Sequence, residues 1–267
     1  GIIATVQQRW RERGSDQGDQ MERDALNVEG HSTAAACWDG SVVLADLLCH
    51  PPPVLLSLSP ALGRSTCTHW DWADQTVLEL GCGIAAMPSL VASLKGARSV
   101  ICTDGNESVL RMTKVNADRW LQDHPNATVP VTMPLTWGDA DHVHSQLRAF
   151  GKAAPFNIIL AADCIYILDN PGAWGKLLTT IAALCSPQTL VLVTYTNRGH
   201  DGLWKRFLAE RVAKLFQVVE IGAHLLHPIA QRGAIGRLEQ HTPAIQVFCW
   251  ALRRERSCHR SSNSSGR

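Results

Sequence analysis

Five short, almost wholly apolar runs recur along the middle of the chain, at 76–80 (TVLEL), 99–103 (SVICT), 128–135, 156–161 (FNIILA) and 189–195 (TLVLVTY). Unbroken apolar character, as opposed to alternation, suits strands buried on both faces of a parallel sheet. Helix-compatible segments fill the gaps at 85–96, 107–121, 141–150 and 173–184, as right-handed strand–helix–strand crossovers require. An earlier helix is expected over 41–49 with Ser41 as its N-cap. Pro51-Pro52-Pro53 ends it, and a loop-rich stretch follows to about residue 74. After a further helix at 202–214 the rhythm changes. Two strand-like runs, 216–221 and 244–252, are joined by a segment rich in Gly, Pro and His, which reads as an antiparallel hairpin. The expected fold is α/β: a Rossmann-like, doubly wound, seven-stranded sheet, mostly parallel, with an antiparallel C-terminal hairpin. One domain is expected over 31–255, between a flexible polar segment (1–30) and a disordered Ser/Arg-rich tail (256–267).

Charge narrows the partners. A formal net charge of +1 and a pI near 7.8 give no basic surface of the kind nucleic acid demands, so no nucleic-acid partner is expected. No apolar stretch approaches the roughly 20 residues of a membrane-spanning helix, and no membrane association is expected. The nine cysteines are odd in number and lack zinc-type C-x-x-C spacing. Cys82, Cys102, Cys164, Cys185 and Cys249 fall in or beside apolar runs, where free thiols behave as small hydrophobes. Reduced thiols fit an intracellular compartment, and a cytoplasmic location is expected, with the nucleus as the alternative; a monomer is expected.

The sharpest local signal is Val77-Leu78-Glu79-Leu80-Gly81-Cys82-Gly83, closing the first strand before a helix. Gly81 and Gly83 permit unusual dihedrals and close approach of a ligand to the backbone. Asp104 follows at the end of the second strand, where a carboxylate can accept hydrogen bonds from both hydroxyls of a ribose. Gly81-x-Gly83-x-x-Ala86 also satisfies the dinucleotide fingerprint, so an NAD-dependent dehydrogenase stays open on these residues. Glu79 argues the other way: a carboxylate there suits a cationic amino end and would repel a pyrophosphate.

Taken with the closing hairpin, Glu79-x-Gly81-x-Gly83 and Asp104 resemble the seven-β-strand S-adenosylmethionine-dependent methyltransferases. Three further motifs are similar to those of the subgroup that methylates protein lysines, including calmodulin and elongation factors. They are Cys37-Trp38-Asp39 before the first helix, Leu135-Thr136-Trp137-Gly138-Asp139 after the third strand, and Ala162-Asp163-Cys164-Ile165-Tyr166 after the fourth. The resemblance runs from about residue 36 to 252. It implies S-adenosylmethionine as cofactor, with Glu79, Gly81 and Gly83 around its methionine part, Asp104 on its ribose and Trp137 on its adenine. Trp38 would close the site and Ala162 would lie beside it.

The implied reaction is methylation of a lysine side chain on a protein substrate, with Asp163 and Tyr166 as the catalytic pair. Asp163 would orient the amine or relay its proton, and Tyr166 would wall the methylated nitrogen. The competing roles are core filling for the two tryptophans and helix capping for Asp163. The same residues are compatible with a small-molecule N-methyltransferase and with a non-catalytic cofactor-binding scaffold. No metal is expected: His224, His227 and His241 share a loop and are read as loop or surface histidines.

Overall fold

Successive residues of the central strands divide between two apolar layers, which is why the strands read as unbroken. In the computed structural model, Val77, Ile158, Leu160, Leu190 and Leu192 enter one cluster with the first helix. Leu78, Ile159, Ala161, Val191 and Val193 enter the other. The structure describes residue 34 and residues 37–58, 70–165, 171–198, 201–228, 230–231 and 245–253. The expected terminal segments and Tyr166 lie outside them.

The strands are β1 (Thr76–Leu80), β2 (Ser99–Asp104), β3 (Val131–Pro134), β4 (Ile158–Ala162), β5 (Leu190–Thr196), β6 (Phe216–Ile221) and β7 (Ile245–Leu252). They form one seven-stranded sheet in the order β3-β2-β1-β4-β5-β7-β6. The first five run parallel, while β7 pairs antiparallel with both β5 and β6. Strand order therefore reverses between β1 and β4, and ligands of open α/β sheets bind in the crevice that this reversal leaves at the carboxyl edge. At the opposite edge Asn157 fixes the register, its Oδ1 accepting from both the amide and the hydroxyl of Thr76 at 2.8 Å.

The helices are α1 (Asp39–Cys49), α2 (Pro53–Leu58), α3 (Met87–Leu94), α4 (Glu107–Asp123), α5 (Ala140–Ala149), α6 (Pro171–Leu184), α7 (Asp201–Phe207) and α8 (Ala213–Leu215). Several depart from the sequence reading. α1 starts two residues before Ser41: extended Trp38 is its N-cap, with no side-chain cap, and Gly40 lies inside the helix. The stretch expected to be loop after the prolines holds α2. The helix expected over 202–214 is interrupted by a π-helical turn, Leu208–Val212, between α7 and α8. β3 is shorter than 128–135 because Thr128 is engaged elsewhere: its hydroxyl donates to the Ala97 carbonyl at 2.6 Å and its amide to that of Ser93.

Candidate functional site

One cavity of about 890 Å³ opens at the carboxyl edge across the β1/β4 reversal. Gly81, Gly83, Asp104, Trp137, Ala162 and Asp163 all line it, as does Trp38 at its rim. These residues come from the ends of β1, β2, β3 and β4 and from the start of α1, so the fold brings together seven of the nine residues singled out from sequence. Glu79 does not reach the cavity, and Tyr166 lies outside the described residues.

The cofactor side is built largely from backbone. Gly81 (φ 61°) and Gly83 (φ 56°) sit in the left-handed region. A Cβ at Gly81 would lie 2.9 Å from Cys164 Sγ and 3.4 Å from the Trp137 ring, so this wall has no room for a side chain. The turn is held from several directions. Cys82 N–H donates to the Thr103 carbonyl at 2.9 Å. From α4, Thr113 Oγ1 donates to the Gly83 carbonyl and Asn116 Nδ2 to that of Ile84. Asp104 closes the ring: Oδ2 accepts from Gly83 N–H at 3.2 Å and Oδ1 from Asn106 N–H at 3.0 Å. That carboxylate is therefore oriented before any ligand arrives.

Glu79 lies behind the glycine turn. It is 1% exposed, and Oε2 accepts from Ser89 N–H at 2.9 Å, at the start of α3. Leu78 and Leu80 on either side of it face the other layer, so Glu79 points into the first. Its Oε2 braces α3 behind the glycine turn, and its Oε1 is buried with no hydrogen-bond partner among the described residues. Burial, the dominant cause, raises its pKa from 4.5 to about 7.

The opposite side is built from charged side chains. Asp163 has φ 55°, a conformation Asp tolerates better than most residues. Its amide donates to the Thr194 carbonyl at 3.1 Å. Its Oδ1 accepts from Thr196 N–H at 2.8 Å, and Oδ2 accepts from Thr196 Oγ1 at 2.7 Å and from Arg198 at 3.1 Å. The Arg198 guanidinium in turn lies 5.3 Å from the centre of the Trp38 ring. A carboxylate committed to three donors is a rigid acceptor and a poor shuttle, which favours orienting an amine over relaying its proton. α1 can approach because Gly40 has no side chain: a Cβ there would meet Thr194 Oγ1 at 2.9 Å and Asp163 Cγ at 3.0 Å.

Sequence reasoning missed Arg198, Thr196, Lys176 and Ser41, of which Arg198, Lys176 and Ser41 line the cavity. The available signal was a threonine ending the fifth strand and an arginine two residues on, meaningful only once β5 is known to neighbour β4. Asp139, part of the Trp-Gly-acidic motif, serves locally as the N-cap of α5, accepting from His142 N–H at 2.9 Å. Thr180 holds the same loop, its hydroxyl accepting from Gly138 N–H at 3.0 Å, and so fixes the Trp137 backbone. Desolvation raises the Cys82 and Cys164 pKa values well above the usual thiol range, and Cys164 donates to the Leu80 carbonyl.

The histidine reading also changes. His241 lies outside the described residues, but His227 sits 3.5 Å from a carboxylate oxygen of Asp46, which also contacts His50. Asp46 on α1 thus supplies a carboxylate to His227 from outside that loop.

The cavity suits S-adenosylmethionine by the chemistry of its donors: a preset carboxylate for the ribose, an aromatic face for the adenine, and a glycine wall that backbone-close approach requires. Several known proteins are similar to this chain. A stretch of 132 residues is 32% identical to secreted RxLR effector protein 48 of Plasmopara viticola, covering 47% of this chain and 65%, just under two thirds, of that protein. Similar solved structures include the methyltransferase domain of bacterial CtHen1-C, at 17% identity and TM-score 0.49, covering 79% of this chain and 100% of that one. A TehB-like SAM-dependent methyltransferase from Corynebacterium glutamicum matches at 13% identity and TM-score 0.47, covering 88% of this chain and 98% of that one. The family described as lysine methyltransferase matches residues 18–212, well over half of the 267. The chain belongs to that lysine methyltransferase family, which implies S-adenosylmethionine as its cofactor.

Proposed function

We propose that the protein methylates the ε-amine of a lysine on another protein. The observation that carries this reading is the make-up of the acceptor side: a buried carboxylate, Asp163, under a half-open rim formed by Trp38, 41% exposed, and Arg198. A side chain entering from a large partner needs an open mouth with a polar anchor at its base, and these residues supply both.

When bound, the cofactor supplies an electrophilic methyl group on a sulfonium. The protein's part is alignment and desolvation, which dominate in-line displacement. Lysine in water holds its proton up to a pH of ~10.4, so the site must favour the neutral amine. The apolar walls disfavour the ammonium by desolvation, and the nearby cations Arg198 and Lys176 disfavour it electrostatically. Asp163, fixed by Thr196, accepts a hydrogen bond from the amine and aims its lone pair across the cavity. Near-neutral net charge supports a protein acceptor over a nucleic acid, whose phosphates call for a basic surface.

The test is to incubate the enzyme with methyl-labelled S-adenosylmethionine and an extract lacking the endogenous enzyme. The expected result is label in one discrete protease-sensitive band that yields methyllysine on acid hydrolysis. Label confined to the nuclease-sensitive or small-molecule fraction would overturn the reading.

A further inference from the structure

Away from the cavity, Asp46, His50 and His227 gather where the C-terminal end of α1 meets the chain between β6 and β7. Asp46 and His50 lie one helical turn apart, so both side chains leave α1 on the same face. His227 comes from far along the sequence, just after the short 3₁₀ turn Ala223–Leu225. One ligand-capable atom from each of the three lies within 4.8 Å of the others.

The buried carboxylate points to a ligand. Asp46 is 1% exposed, with His50 Nδ1 at 3.2 Å from Oδ1 and His227 Nδ1 at 3.5 Å from Oδ2. Oδ2 is fully buried and has no hydrogen-bond partner among the described residues. A buried carboxylate oxygen left so is costly. Two ligands of a tetrahedral zinc ion, each bound at about 2.0–2.2 Å, stand roughly 3.3–3.6 Å apart; His227 already stands at that distance from Oδ2, while His50 is held at 3.2 Å by a hydrogen bond to Oδ1.

We propose that Asp46, His50 and His227 form a zinc site that fastens the β6–β7 connection to α1. Two imidazoles with one carboxylate favour zinc over calcium or magnesium, which prefer all-oxygen shells. The rings now stack, with centroids 4.1 Å apart and planes 14° from parallel. Ligation by both requires one ring to turn about its side-chain bonds. There is room for this, since the His50 and His227 side chains are 50% and 32% exposed. Three protein ligands leave the fourth position to water.

The experiment uses untagged full-length protein, stripped with chelator and dialysed, titrated with zinc chloride by calorimetry beside His50→Ala and His227→Ala. The expected result is one ion per chain at micromolar affinity or tighter, weakened about tenfold or more in each variant. X-ray absorption of the zinc-loaded protein should fit nitrogen and oxygen neighbours at about 2.0–2.1 Å. Because both histidines are partly exposed, the variants should fold, and zinc should raise the melting temperature of the parent protein alone. Absence of saturable binding, equal binding by the variants, or a sulfur shell near 2.3 Å indicating the free cysteines would each overturn the proposal.

Discussion

The two sides of the cavity share one sheet edge but are made of different material. At the ends of β1 and β2 the wall is backbone: two left-handed glycines, a ring of amide hydrogen bonds and one preset carboxylate. At the ends of β4 and β5 the wall is side chain: Asp163, Thr196, Arg198 and Trp38, joined by charge-assisted hydrogen bonds and a cation–π contact. A backbone wall can hold an invariant ligand with little latitude in sequence. A side-chain wall can be re-cut for different acceptors without disturbing the cofactor. The comparison implies that lesions on the two sides should separate in their effects.

The largest effect is expected at Gly81. An alanine there incurs about 1–2 kcal/mol for its left-handed backbone and about 1–3 kcal/mol for crowding Cys164. Gly81→Ala should lose S-adenosylhomocysteine binding by calorimetry and melt several degrees lower. Adding Cys164→Ala should recover the crowding part only. Full recovery by the double variant would mean that the positive φ is not required.

A smaller effect, of about 3 kcal/mol, should appear as pH dependence at Glu79. Its folded-state pKa of about 7 lies above the ordinary 4.5, so the folded protein retains a proton that the unfolded chain releases between those values. Stability is fully present below about 4.5, falls as pH rises towards 7, and is level above it. Glu79→Gln should remove that slope and be more stable than the parent at pH above 7, as read by chemical denaturation across the range. Parallel profiles for the two proteins would show that Glu79 is not the titrating group.

The smallest effect is expected at Arg198. Its ion pair with Asp163 is partly exposed, so Arg198→Ala should cost about 1 kcal/mol, seen as a roughly fivefold rise in KM for the acceptor. Cofactor affinity should stay unchanged. A matching loss of cofactor affinity would break the division between the two sides.

The same division explains what could be read in advance. Glycines at positive φ and a carboxylate 21 residues on are local features, and the strand rhythm follows directly from burial on both faces. Asp163 was visible as a motif, but its partners were not, because Thr196 and Arg198 lie 33 and 35 residues away. They become neighbours only through the β4–β5 pairing. The alternation within β1 already assigns Glu79 to the layer opposite Leu78 and Leu80, but its contact with Ser89 of α3 shows only in the fold. Similarly, Asp46 reads as one polar residue in an apolar helix until the β6–β7 connection brings His227 beside it.

The central claim, that one side holds the cofactor and the other presents the acceptor, is tested most directly by comparing Asp104→Ala with Asp163→Asn. S-adenosylhomocysteine affinity and methyl transfer to the labelled band are measured on both. Asp104→Ala should weaken cofactor binding by roughly 1.5–3 kcal/mol, the value of hydrogen bonds to a charged acceptor. Asp163→Asn should bind the cofactor like the parent while transferring methyl groups about 10²-fold more slowly or worse. If Asp163→Asn lost cofactor affinity as Asp104→Ala does, or transferred at the parent rate, the two sides would not divide the work and the account would be wrong.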